Sequence, residues 1–200
     1  MFYWFAHALF FVASKLFFPI KARGHKSIPR DSGFIIASNH LSNLDPMLLG
    51  LASGRRLNYI AKQSLFKNPL FGRVLHWVGA FPIKRESYDT SAIKEALKRL
   101  KEGGGVVMFP EGTRKSVEGK KSVQPGIGFL AVKSGAPVVP AFIQGSEKVM
   151  PPGNKTITYG RITITFGKPE VYNKSKEYPE IAQHIMQAIN QLSVTPAVSR

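Results

Sequence analysis

The sequence contains no cysteine among its 200 residues, and acidic side chains are scarce. Without a thiol, the chain forms no disulfide and no thiolate metal site, and it has no cysteine nucleophile. Its 28 Lys and Arg residues outweigh 12 Asp and Glu residues, for a formal net charge of +16. This excess indicates a polyanionic partner, which is an anionic membrane surface, an acidic carrier protein or a nucleic acid. Charge alone does not choose among these three.

A long uninterrupted hydrophobic run is also absent. The most apolar segment, residues 1–20, is interrupted by His7 and Lys15, and 20 helical residues at about 1.5 Å each only just cross roughly 30 Å of hydrocarbon. Its dense aromatic rings suit the headgroup layer of a bilayer, and the basic residues that follow it are typical of a cytoplasmic side. We therefore predict a membrane-interface helix at the cytoplasmic face. The alternative is an apolar helix packed on the rest of the protein.

Beyond this segment, short apolar runs alternate with amphipathic segments, and no internal repeat is present. The predicted strands cover residues 33–38, 57–61, 80–84, 106–109, 137–143 and 161–166. The predicted helices cover about residues 45–53, 69–79, 90–102, 126–134 and 177–192. This order predicts an α/β fold, with one domain at residues 21–193 whose largely parallel or mixed sheet is flanked by helices. Residues 194–200 are predicted to be a flexible tail.

Two polar motifs directly follow two of the predicted strands. The first is NHLSNLD at residues 39–45, and the second is FPEGTR at residues 109–114. In parallel sheets the carboxyl ends of the strands meet at one edge, and ligands bind there. The sequence therefore predicts that the two motifs form one site.

The first motif supplies the parts that activate a hydroxyl nucleophile. His40 provides an imidazole that accepts a proton near neutral pH, and Asp45 provides a carboxylate that orients the ring and stabilises the imidazolium. Asp45 precedes Pro46, which is also the signature of a helix N-cap. The two roles of Asp45 are compatible, because a rigidly held carboxylate orients the ring better. The second motif places glycine and arginine at a strand end, a usual place to hold a phosphate.

The chain resembles the glycerolipid acyltransferases, and within them the 1-acyl-glycerol-3-phosphate (lysophosphatidic acid) acyltransferases. Four blocks match this family in order. They are H-x-x-x-x-D at His40 and Asp45, GAFPIKR at residues 79–85, FPEGTR at residues 109–114 and VVPAF at residues 138–142. The similarity spans roughly residues 20–170, which is most of the chain.

This resemblance implies transfer of a fatty acyl group from acyl-carrier protein or acyl-CoA to the sn-2 hydroxyl of 1-acyl-glycerol-3-phosphate, which gives phosphatidic acid. It implies His40 as the catalytic base and Asp45 as the residue that orients it. The implied acceptor-binding residues are Arg85, Glu111, Gly112, Thr113 and Arg114. The thioester donor is a co-substrate, and neither a separate cofactor nor a metal is expected. The expected location is the cytoplasmic face of the cell membrane, on an anionic surface.

Several alternatives remain open for these residues and for the acceptor. Relatives commonly carry a lysine where this chain has Pro125, although Lys120 and Lys121 lie close enough in sequence to replace it. Arg85 is alternatively an ordinary surface cation, and Glu111 alternatively forms a local ion pair with an arginine three residues later. Another lysophospholipid therefore remains a possible acceptor.

Other classes of function use part of the same features. A thioesterase would use water in place of the acceptor hydroxyl. A non-catalytic basic membrane-binding module would need the aromatic N-terminus but neither His40 nor Asp45. A nucleic-acid binder would explain the charge, yet the sequence carries no recognised nucleic-acid reading motif, so no nucleic-acid partner is expected.

Overall fold

A computed structural model describes residues 2–83, 90–112, 123–154 and 156–194 of the chain. Its strands are β1 Ile20–Arg23, β2 Phe34–Ser38, β3 Leu57–Lys62, β4 Ala80–Ile83, β5 Gly105–Met108, β6 Val138–Gln144 and β7 Ile162–Phe166. Its α-helices are α1 Phe2–Phe17, α2 Asp45–Ser53, α3 Pro69–Trp77, α4 Thr90–Lys101, α5 Gly126–Ser134, α6 Ser146–Val149 and α7 Tyr178–Val194. Two 3₁₀ turns, His25–Ser27 and Gln63–Phe66, follow β1 and β3.

The strands form a single mixed sheet in the order β1-β7-β6-β2-β5-β3-β4. Neighbouring strands are parallel except β6 and β7, which are antiparallel. The predicted α/β fold with a largely parallel or mixed sheet is therefore confirmed. The sequence analysis missed β1, a strand of four residues that pairs with β7 about 140 residues later in the chain.

Both faces of the central sheet are covered, because side chains alternate along each strand. Along β2, Ile36 packs in a core with Leu48 and Leu49 of α2. Its neighbour Ile35 packs in a second core with Leu130 of α5 and with residues of α4 and α7. Strands that are apolar on both faces explain why their sequences read as continuous apolar runs.

The N-terminal helix α1 is packed on the domain along one side and exposed along the other. Ser14 is buried in α1, and Phe18 directly after it lies in the same core as α2. Leu9, Val12 and Leu16 are exposed. Within the described ranges, no helix has the length and apolar content needed to cross a bilayer. The interpretation of α1 as a helix packed on the domain thus holds for one side, and its location in a membrane interface stays a prediction.

Candidate functional site

The two polar motifs meet at the carboxyl edge of the sheet. Strands β2 and β5 are parallel neighbours with Ala37 paired to Met108, so both chains leave the sheet at the same edge. The ring of His40, two residues after the end of β2, stacks on the ring of Phe109, which directly follows β5, with 4.0 Å between centroids and 18° between planes. This stack brings the two motifs into direct contact, because β2 and β5 are neighbours in the sheet.

His40 and Asp45 form a hydrogen-bonded pair in this site. His40 Nδ1 lies 2.9 Å from Asp45 Oδ2, and the Asp45 side chain is fully buried, whereas the His40 side chain is 14% exposed. An ionised carboxylate only accepts hydrogen bonds, so the proton of a neutral His40 lies on Nδ1. The lone pair of Nε2 is then available to accept a proton from a hydroxyl group.

Asp45 does not cap helix α2 as predicted, and this prediction was wrong. Asp45 is the first residue of α2, and its Oδ2 accepts hydrogen bonds from the backbone N–H groups of Leu41 and Ser42, at 2.6 and 2.7 Å. The carboxylate therefore points back into the loop before the helix, where these two amides and the His40 ring converge on one oxygen. Pro46 does lie in the first turn of α2, as the sequence indicated.

Asn39 is a structural part of the site that the sequence analysis did not single out. Its side-chain Nδ2 donates to the carbonyl of Ile143 at 2.8 Å, and its Oδ1 accepts from the N–H of the same residue at 2.8 Å. Asn39 is buried, and these two bonds fasten the end of β2 to the end of β6. Ser42 adds a hydrogen bond from its hydroxyl to the carbonyl of Met150 at 2.7 Å. The loop that carries His40 is thus fixed on both sides of the histidine.

Replacing Asn39 by leucine is expected to destabilise the fold. The Asn39→Leu side chain would leave both backbone groups of Ile143 without partners, and each stranded buried group costs about 1–3 kcal/mol. Urea unfolding measures this loss, with Asn190→Leu on the exposed side of α7 as the matched control. An Asn39→Leu protein that unfolds at the same urea concentration as the control would contradict this role.

The second motif forms a tight turn directly after β5. The N–H of Gly112 donates to the carbonyl of Phe109 at 2.9 Å, and Pro110 occupies the turn position that proline favours. Gly112 has φ of +66°, and a side chain there would approach Gln124 Cγ to 3.0 Å, so glycine is required. The amide of Gly112 is thus engaged within the turn, and Glu111 beside it is buried.

Three of the five expected acceptor-binding residues, Arg85, Thr113 and Arg114, lie outside the described residues, as do Lys120 and Lys121. The roles of all five therefore stay predictions.

Strand β4, which precedes Arg85, is parallel to β3 with Ile83 paired to Lys62, so it ends at the same edge as the His40 site. Lys62 is an exposed cation at that edge that sequence reasoning missed, although a lysine directly after a predicted strand is a detectable signal. Within the described ranges, no group of three His, Asp or Glu side chains is placed to hold a metal ion.

Comparisons with known proteins identify the family. A family model described as Acyltransferase matches residues 19–144. The 1-acyl-sn-glycerol-3-phosphate acyltransferase of Bacillus subtilis is 35% identical over 151 residues, which cover 75% of this chain and 73% of that protein. A chloroplastic 1-acyl-sn-glycerol-3-phosphate acyltransferase of Arabidopsis thaliana is 32% identical over 157 residues, which cover 76% of this chain and 44% of the plant protein.

A solved structure shares the fold. It is the crystal structure of the 1-acyl-sn-glycerophosphate (LPA) acyltransferase from Thermotoga maritima, with a TM-score of 0.71 and 28% sequence identity. The match covers 89% of this chain and 73% of the Thermotoga chain. The sequence motifs, the family model and the shared fold agree, and the chain belongs to the acyltransferase family.

Proposed function

We propose that the protein transfers a fatty acyl group from a thioester to the sn-2 hydroxyl of 1-acyl-sn-glycerol-3-phosphate, which yields phosphatidic acid. The observation that carries this proposal is the buried Asp45 carboxylate, which holds Nδ1 of His40 at 2.9 Å and leaves Nε2 to act as a base. The names of the Bacillus, Arabidopsis and Thermotoga relatives support the same acceptor.

In the proposed reaction, His40 Nε2 removes the proton from the sn-2 hydroxyl while the hydroxyl oxygen forms a bond to the thioester carbonyl carbon. Asp45 stabilises the imidazolium that results, because its negative charge lies against Nδ1. The tetrahedral intermediate then collapses, and the carbon–sulfur bond breaks. The imidazolium returns its proton to the departing thiolate, so His40 ends the cycle neutral and a free thiol is released. The acyl group passes directly to the acceptor, and the chain has no cysteine to hold it.

The acceptor phosphate would be held by cations at the same sheet edge. Arg85 and Arg114 are proposed as its ligands, with Thr113 beside them, and Lys62 is a further cation at this edge. The buried Glu111 and the turn at Gly112 would set the position of the segment that carries Arg114. The donor would be acyl-CoA or an acyl-carrier protein, as a co-substrate.

The proposed location is the cytoplasmic face of the membrane, with α1 in the interface. The exposed apolar side of α1 would face the lipid, while its buried side stays on the domain. Residues 1–20 would thus form the membrane-associating helix, and residues 21–193 the acyltransferase domain. Residues 195–200 of the predicted tail lie outside the described residues.

A panel of acceptors tests the proposed function. Purified protein in detergent receives a long-chain acyl-CoA together with 1-acyl-glycerol-3-phosphate, a lysophospholipid with a choline headgroup, or no acceptor. Phosphatidic acid detected by mass spectrometry, with little product from the choline lipid, is expected because the proposed cationic ligands would favour a phosphate monoester over a phosphodiester that carries a cationic choline. Free fatty acid in the sample without acceptor would instead assign a thioesterase, and equal use of both lipids would remove the preference for a free phosphate monoester.

A further inference from the structure

Several large apolar side chains are exposed in the described part of the chain, and in two places three or more of them lie close together in the sequence. One group lies on α1, as described above. The second lies on the 3₁₀ turn after β3 and on α3, and we call Leu65, Leu70 and Phe71 the α3 patch. Leu65 is 45% exposed, Leu70 is 71% exposed and Phe71 is 49% exposed. Three large apolar side chains in a stretch of seven residues are more than the scattered exposure that monomeric surfaces usually show.

Helix α3 packs on the protein through the side that carries a glycine, and it keeps large apolar side chains toward the solvent. Gly72 is the buried residue of α3, and a side chain at this position would meet the carbonyl of Phe66 at 3.1 Å. Leu70, Val74 and Trp77 are spaced i, i+4 and i+7, so they lie on one side of α3, and Phe71 lies next to that side. Leu70 precedes Gly72 by two residues, which at about 100° per residue places it on nearly the opposite side of the helix from the buried glycine. The exposure of the α3 patch is therefore built into the way α3 packs.

The α3 patch lies at the same edge of the sheet as His40. Strand β3 is parallel to β5 and ends at Lys62, and the 3₁₀ turn and the first turn of α3 follow directly. Helix α3 then runs back across the sheet to the start of β4 at Ala80. Leu65, Leu70 and Phe71 therefore lie beside the carboxyl ends of the strands.

The α3 patch and α1 also lie on the same face of the sheet. The connections from β2 to β3 and from β3 to β4 both progress in the same direction across the sheet. Since such parallel crossovers are right-handed, α2 and α3 cover the same face. Helix α1 contacts α2 on that face. The two exposed apolar groups are thus placed to contact one flat surface together.

The charges around the α3 patch match an anionic surface. No Asp or Glu occurs between residues 46 and 83 of the sequence. Lys62, Lys67 and Arg73, which precede or flank the patch, are exposed. Apolar side chains flanked in the sequence by cations, with no acidic residue in the same stretch, suit a bilayer whose headgroups are negatively charged.

We propose that the α3 patch is a second membrane-contact site, which inserts into an anionic phospholipid bilayer beside the catalytic edge. Helix α1 alone attaches the protein at one place and leaves its orientation free. A second contact at the α3 patch fixes the orientation and keeps the His40 site next to the headgroup layer. The benefit for catalysis rests on the proposed function, in which the acceptor is a lipid, whereas the membrane contact itself does not.

Vesicle flotation of the full chain tests this site without any substrate. The Leu70→Gln/Phe71→Gln variant is expected to partition about a hundredfold less onto vesicles of mixed phosphatidylcholine and phosphatidylglycerol, roughly tenfold for each large apolar side chain withdrawn from the bilayer. Val171→Gln is the matched control, because Val171 is also an exposed apolar residue, at 64% exposure. It follows Glu170, which pairs with Val138 at the start of β6, and this end of the strand is opposite to the catalytic edge. The control is expected to partition like the wild type. Equal partitioning of the double variant and the control would overturn the proposal.

A spectroscopic readout tests insertion directly. The chain has two tryptophans, Trp4 and Trp77, and both are replaced by phenylalanine before Phe71→Trp is introduced as the sole indole. Quenching of its fluorescence by lipids brominated on the acyl chain is expected, and absence of quenching on bound vesicles would contradict insertion.

Activity separates this proposal from the proposed function. The Leu70→Gln/Phe71→Gln variant is expected to keep wild-type turnover on a detergent-dispersed acceptor and to lose turnover on a vesicle-borne acceptor. A wild-type protein without activity would remove the proposed function and leave the flotation and quenching results to decide the membrane site. Unchanged flotation together with weaker binding of acyl-carrier protein would assign the α3 patch to the carrier and overturn the membrane contact.

Discussion

His40→Ala is expected to lower turnover roughly 10²–10⁴-fold, the range that follows from loss of a positioned general base. The alanine side chain has no nitrogen to accept the proton of the acceptor hydroxyl. His40 is partly exposed and stacks on Phe109 at the surface of the site, so the variant is expected to fold. Steady-state thiol release at saturating acceptor measures the effect.

The matched control is His184→Ala. His184 lies on α7 with a side chain 46% exposed, and its ring nitrogen faces Tyr172 and Glu170 rather than the sheet edge. This variant is expected to keep wild-type turnover. A folded His40→Ala protein with turnover close to that of His184→Ala would show that His40 is not the base.

Substitutions of Asp45 are expected to affect both catalysis and stability, and two variants separate the effects. Asp45→Asn keeps the size of the side chain but removes its charge, so the imidazolium of His40 loses its stabilising partner. Turnover is expected to fall roughly 10²–10⁴-fold, as other histidine bases do when they lose their carboxylate. The free energy of unfolding is expected to fall less than in Asp45→Ala, because the amide oxygen of asparagine still accepts from the backbone N–H groups of Leu41 and Ser42.

Asp45→Ala is expected to destabilise the fold as well. The backbone N–H groups of Leu41 and Ser42 both donate to the carboxylate, and each stranded buried donor costs about 1–3 kcal/mol. Urea unfolding compares this variant with Asp31→Ala, which removes an exposed carboxylate in the loop before β2. Wild-type turnover in Asp45→Asn, or equal unfolding of the two alanine variants, would contradict the role assigned to this carboxylate.

The fold was largely predictable because its strands and helices are marked locally. The central strands are apolar on both faces, and Asn68 caps α3 with hydrogen bonds to Leu70 and Phe71, as the Asn-Pro pair indicated. Strand β1 was not predictable in the same way. It has four residues, two of them cations, and its stability as a strand comes from pairing with β7 far along the chain.

The candidate site was predictable where spacing carried the chemistry. His40 and Asp45 are five residues apart, and their hydrogen bond was expected from the motif. The contacts of Asn39 with Ile143 and of His40 with Phe109 depend on which strands are neighbours of β2. Local sequence does not encode that order. The error about Asp45 has the same origin. The start of α2 was marked locally, but the ring of His40 and the N–H groups of Leu41 and Ser42 bond the carboxylate only in the folded loop.

The central claim is that His40 activates a lipid hydroxyl for direct acyl transfer, and one assay tests it most directly. Thiol release from a long-chain acyl-CoA is followed with wild-type protein and with His40→Ala, each with and without 1-acyl-glycerol-3-phosphate. The account predicts release that requires the acceptor, produces an equal amount of phosphatidic acid and is lost in His40→Ala. Release that is independent of the acceptor, or that persists in His40→Ala, would contradict it.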